Sequence, residues 1–173
     1  MKKRILGILL AGVLTFALAG CAGNSDNESN STDPNVEQSE ASNTMDEASY
    51  MEKVNALPEA ATDFSNAMGE FMSTADQQDL DTLLAQLEDL RSYEQPLYDF
   101  AAIDNPPEKY AEAHERLANS CTQMGDVLDE YVDFMKGVFE GTVSQDDSQA
   151  LVDKMTEASN EVAQAGQALT SIE

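Results

Sequence analysis

The stretch Tyr110–Val138, YAEAHERLANSCTQMGDVLDEYVDFMKGV, decides the fold. Tyr110, His114, Leu117, Cys121, Met124, Leu128, Tyr131, Met135 and Val138 recur in alternating steps of four and three. An α-helix turns once in about 3.6 residues, so this spacing lines one face with side chains suited to burial. A half-buried strand would alternate at every second residue, and no such pattern competes here.

Outward from this segment the same seam recurs. Tyr50, Val54, Leu57, Ala61, Phe64, Met68 and Phe71 carry it on a first segment, and Leu151, Met155, Ala158, Val162, Ala165, Leu169 and Ile172 on a fourth. A second segment opens with Leu80, Leu83, Leu87 and Leu90 and turns irregular near Pro96. Each start has a side chain able to accept from free backbone amides, with an acid or amide three residues on: Thr44 with Glu47, Thr74 with Gln77, Asn105 with Glu108, Ser144 with Asp147. Pro106 and Pro107 suit a first helical turn, where a missing N–H costs nothing. Gly141 reads as the close of the third helix, with Gly137 fraying its last turn. The seam runs through Pro58, which predicts a kinked helix, or a short helix followed by a longer one. Residues 44–173 are therefore expected to form one all-α domain, an antiparallel up-down four-helix bundle. The alternation of four and three is also the coiled-coil period, but turns between the segments favour packing within one chain.

Upstream of Thr44 the composition changes. Residues 22–43 are mostly Ser, Asn, Asp, Glu and Thr with one large aliphatic, Val36. Such a stretch buries too little apolar area to offset its ordering entropy and reads as a flexible acidic tether. It would span about 25 Å on average and about 75 Å when pulled straight.

The first twenty residues have a third character. Lys2, Lys3 and Arg4 precede an apolar run, Ile5–Ala19, which is shorter than the roughly 20 residues a membrane span needs. A charged start, short apolar middle and small-residue end make a secretory leader. Leu18-Ala19-Gly20-Cys21 resembles the lipobox of bacterial lipoproteins. The resemblance implies diacylglyceryl transfer to the Cys21 thiol, cleavage before Cys21, and a chain held by lipid at the extracytoplasmic face of the cell membrane. Ala22 resembles residues that permit outer-membrane sorting in cells having such a membrane. Two acyl chains anchor stably where one is marginal. With Cys21 lipidated, Cys121 is left without an intramolecular partner, so no disulfide framework is expected.

Charge narrows the partners. The chain has 9 basic and 33 acidic residues. Loss of three basic residues with the leader would leave six against 33, a net of −27. Nucleic acid and anionic lipid surfaces would both repel such a body. A protein partner would present a basic or apolar surface.

Candidate chemistry is sparse. Cys121 and His114 share a helix, yet seven residues place their backbones about 10.5 Å apart, against about 3 Å for a working nucleophile and base. The plainer reading is a buried thiol and a histidine at the core boundary. A di-metal bundle site needs a Glu three residues before its His; that position is Ala111, and no metal or cofactor is expected. Acidic rows at steps of three and four (Asp126, Asp129, Glu130 and Asp133; Asp153, Glu157 and Glu161; Glu59 and Asp63) suit weak cation capture, a basic partner, or simply solvent. Tyr93–Ile103 joins aromatics to a break in periodicity and reads as a binding patch or as the closure of one end of the bundle. Met51, Met68, Met72, Met124, Met135 and Met155 would line an adaptable groove or, more simply, the core. Pro106-Pro107-Glu108-Lys109-Tyr110, with His114 and Leu117, resembles a run in small helical lipoproteins of Gram-positive bacteria, a resemblance that implies no activity. The sequence thus points to a non-enzymatic, tethered interaction module. The alternative is a small-ligand or cation-binding accessory or sensor lipoprotein.

Overall fold

A computed structural model describes residues 44–144 and 148–172; the expected leader, Cys21 and the expected tether lie outside the described residues. Five α-helices follow in order: α1 Glu47–Thr74, α2 Leu80–Asp89, α3 Gln95–Ala101, α4 Ala111–Glu140 and α5 Ser148–Thr170. Short 3-10 turns lie at Ala75–Gln77, Leu90–Glu94 and Glu108–Tyr110, and the described residues contain no strand. The protein is all-α.

One continuous core collects the seams of every helix. Tyr50, Leu87, Leu117, Cys121, Met124, Val132, Met135 and Leu169 are almost wholly removed from water. Small departures from the expected seams follow from local geometry. Ala60 is buried in place of Ala61, and Leu80 is exposed because it opens the first turn of α2, ahead of buried Leu83 and Leu87. α1 continues unbroken through Pro58. The core also contains four of the six methionines singled out above, with Met51 and Met68 packed at its margin.

The expected second helix is two helices. Pro96 lies in the first turn of α3, and a straight continuation of α2 would drive its ring into the carbonyl four residues back. The chain passes this point as a 3-10 turn, Leu90–Glu94, with Ser92 Oγ donating to the Asp89 carbonyl at 2.7 Å.

Three of the expected starts lie elsewhere. Asp46, not Thr44, caps α1, its carboxylate accepting from the Ser49 amide at 3.0 Å. α1 runs past the expected stop, so Thr74 lies within it and donates to the Glu70 carbonyl; Asp79 caps α2 by accepting from the Thr82 amide at 2.9 Å. A carboxylate caps at least as well as a threonine hydroxyl, which explains both displacements. At the third start, a residue before proline is pushed toward extended backbone, and Pro107 itself is extended at φ −56° and ψ 137°. Helix formation is therefore deferred past Asn105 to the turn at Glu108. The fourth start adjoins residues 145–147, which lie outside the described residues.

Gly141 closes α4 as expected, in the left-handed region at φ 75°. The amides of Gly141 and Thr142 return to the carbonyls of Val138 and Gly137 at 3.2 and 2.8 Å, the paired bonds of a Schellman cap. Gly137 is buried within the helix rather than frayed, and Val143 folds back where its Cβ would stand, about 2.9 Å away.

Candidate functional site

Two polar clusters interrupt the core. The first is where α1 and α4 begin and α3 ends. Tyr50 stacks on Tyr110 with ring centroids 5.3 Å apart and meets Phe100 at 5.9 Å; His114 stands 5.1 Å from Phe100. His114 Nε2 lies 3.0 Å from the Ile103 carbonyl, an atom that only accepts, so Nε2 carries the proton. Nδ1 then accepts from the Tyr50 hydroxyl at 3.1 Å. Burial holds the imidazole below its ordinary pKa, which keeps this neutral tautomer, and it pushes the Tyr50 phenol up to about 12. At the rim, Tyr110 donates to Glu47 at 3.0 Å and Lys109 reaches the same carboxylate at 2.7 Å. These two contacts hold Glu47 below its usual range.

Cys121 is not part of a reactive pair. Its thiol is buried and pushed up to about 12 by desolvation, and both nitrogens of His114 are committed to other partners. A thiol in that state is a poor nucleophile. The hydrogen bonds to His114 equally occupy the atoms a metal would need, and among the described residues no group of three or more His, Cys, Asp or Glu side chains is placed to hold a metal ion.

The second cluster lies between the Leu90–Glu94 turn and α4, and it changes the meaning of the acidic row. Arg91 pairs with Asp129 and Asp133 of α4. Its Nε is 3.0 Å from Glu88 Oε1, at an angle too poor for a hydrogen bond. Lys136 answers Glu88 at 2.8 Å, Lys154 of α5 answers Glu130 at 2.7 Å, and the Tyr98 hydroxyl donates to Asp126 at 3.1 Å. The row on α4 thus joins helix to helix instead of awaiting a cation. Glu59, Asp63, Glu157 and Glu161 are exposed and form none of the ion pairs found among the described residues. Asp153 accepts from Gln149 at 2.9 Å.

Tyr93–Ile103 is chiefly packing. Leu97 and Phe100 are buried, and the Tyr93 ring meets Phe64 edge-on at 6.3 Å. Tyr98 lies directly over Gly125, where a Cβ would stand 2.5 Å from its ring, so this glycine sets how closely α3 approaches α4. Tyr98 is pushed up to about 12, by desolvation first and then by Asp126.

Sequence reasoning missed Glu94. It is 6% exposed and its Oε1 has no hydrogen-bond partner. A signal was present: Leu83, Leu87, Leu90, Glu94 and Leu97 continue the four-and-three steps, so the irregularity of the second segment is an acid occupying a core position.

No family model matches the chain, and no curated protein or solved structure is significantly similar to it. Among the described residues no helix is long and apolar enough to cross a membrane.

Proposed function

We propose that the chain is a membrane-anchored lipoprotein, lipidated on Cys21, whose helical domain is a non-enzymatic interaction module outside the membrane. Within it the helices form an up-down bundle in which α2 and α3 are one broken leg. The order of contacts supports this. Glu47 with Tyr110, Tyr50 with His114, Met68 with Tyr131 and Phe71 with Phe139 ascend together, so α1 and α4 run in parallel. Glu88 with Lys136, Arg91 with Asp133 and Tyr98 with Asp126 run in opposite order, as antiparallel neighbours do.

One observation carries the functional reading. Arg91, Lys109, Lys136 and Lys154 all lie in internal ion pairs, while the acids of α1 and α5 named above face outward. Lys53 on α1 and Arg116 on α4 are also exposed, but acids outnumber them, so a partner meeting those faces encounters predominantly negative charge, which selects a basic surface and repels an anionic one. The tether would hold these faces clear of the lipid.

Two experiments test the reading. Wild type and Cys21→Ala are compared for palmitate labelling and envelope fractionation; loss of both in the variant supports the anchor, and identical behaviour overturns it. Oligolysine and oligoglutamate are then titrated by calorimetry against wild type and a variant carrying Glu59→Lys, Asp63→Lys, Glu157→Lys and Glu161→Lys. Salt-sensitive binding of oligolysine alone, lost in the variant, is expected. Binding unaffected by the four reversals overturns the proposed surface.

A further inference from the structure

Glu94 occupies a position that disfavours an ionised carboxylate. It belongs to the seam that packs the Leu90–Glu94 turn into the core, it is almost fully buried, and one carboxyl oxygen has no donor. An unpaired carboxylate in such surroundings is costly, whereas the neutral acid is tolerated.

The groups around it offer little relief. On its own turn, Arg91 turns its terminal nitrogens to Asp129 and Asp133, and its Nε, near Glu88, has no hydrogen-bond partner. From α2 comes Glu88, already shared with Lys136, and from α4 come Asp126 and Asp133. From α3 comes Tyr98, whose hydroxyl is spent on Asp126. α1 meets the turn with the Phe64 ring against Tyr93. Arg91 attracts an ionised Glu94, but Asp126, Asp133 and Glu88 repel it. Burial first, then those carboxylates, push Glu94 up to about 7 against the pull of Arg91.

The turn differs in geometry from the rest of this leg. It is a 3-10 segment, with poorer hydrogen-bond geometry than the helices on either side, inserted where Pro96 prevents a continuous helix. Leu90 anchors it in the core, and its ion pairs to α4 run through Arg91. An ionised Glu94 competes with Asp129 and Asp133 for that guanidinium and draws water toward the seam.

We infer that the Leu90–Glu94 turn is a proton-operated latch: the protonated Glu94 side chain keeps it docked between α1 and α4, and loss of that proton lets it open. The open turn frees α2 and α3 to move relative to α4. The inference concerns the folded domain alone and stands whether or not the chain is lipid-anchored.

Hydrogen exchange on the full chain, read by mass spectrometry, tests it. Peptides covering 90–94 are compared with peptides from α5 as the internal reference, after correction for intrinsic exchange. A carboxyl titrating near 4.5 when open and near 7 when closed lowers protection by about thirtyfold between pH 5.5 and 8.5. That loss is expected at the turn in wild type and absent in Glu94→Gln, which keeps the shape of the protonated acid. In parallel, the Glu94 carboxyl carbon is followed by NMR in wild type, so the answer does not depend on the variant folding. A Glu94 that titrates near 4.5, or a turn whose protection changes equally in wild type and variant, overturns the latch.

Discussion

Gly125→Ala should destabilise the protein although alanine is the better helix former. In an exposed helix interior the exchange of Gly for Ala is worth about 0.5–1 kcal/mol in favour of Ala. At position 125 the new Cβ would stand 2.5 Å from Tyr98 Cζ and 2.8 Å from Cε1 and the hydroxyl oxygen. Carbon atoms rest at about 3.5–4.0 Å, so the ring must retreat by about 1 Å or more. That movement strains the seam between α3 and α4, at roughly 1–3 kcal/mol for an overpacked site, and breaks the hydrogen bond from Tyr98 to Asp126, worth about 1 kcal/mol. The net loss is about 1–3 kcal/mol, a fall in Tm of several degrees for a domain of this size. Gly69 is the internal control, because a Cβ there meets nothing within 4 Å; Gly69→Ala should raise stability by up to about 1 kcal/mol. Urea unfolding followed by far-UV circular dichroism measures both. In a Tyr98→Ala background the Gly125→Ala effect should change sign. A Gly125→Ala protein as stable as Gly69→Ala would refute the close approach of α3 to α4.

Four further outcomes concern the clusters, the caps and the surface charge. His114 is held below its ordinary pKa, so the neutral ring contributes stability that is complete above about pH 6.5 and lost as pH falls through the lowered value; Tyr50→Phe, which strands Nδ1, should cost about 1–3 kcal/mol at neutral pH in the same unfolding assay. Asp46→Ala and Asp79→Ala should each cost about 1 kcal/mol, while Thr44→Ala costs a few tenths at most, a ranking that thermal melts would resolve. Raising salt from low to moderate should raise Tm by screening repulsion among the exposed acids, and a flat midpoint would contradict that argument.

Helix existence was legible because it rests on periodicity, which a chain of this kind repeats over many turns. The seams through Tyr50–Phe71, Tyr110–Val138 and Leu151–Ile172 fall on α1, α4 and α5, with only Tyr110 and Ile172 just beyond the helix ends, and the cap at Gly141 could be read from one glycine after one seam. Helix ends were less legible because several residues competed for each role. Asp46 and Asp79 outdid nearby threonines, and Pro107 delayed a start for which Asn105 has a suitable side chain. The charged row on α4 was visible as a pattern, but its use was not: the pairing of Arg91 with Asp129 and Asp133 spans about forty residues of chain and depends on how the helices are laid together. Glu94 is the instructive miss. Its phase was in the sequence, yet an acid in an apolar seam is naturally read as the end of the seam rather than as a member of it. The close contact of Tyr98 with Gly125 is likewise a tertiary fact, with only a mid-helix glycine as its trace.

The central claim is that this acidic helical body is held at a membrane by lipid on its twenty-first residue. Intact-mass and fragmentation analysis of the protein isolated from envelopes tests it most directly. The account predicts a chain that begins at Cys21 and carries diacylglycerol on the thiol. A chain that still begins at Met1, or one whose Cys21 is unmodified, would contradict it.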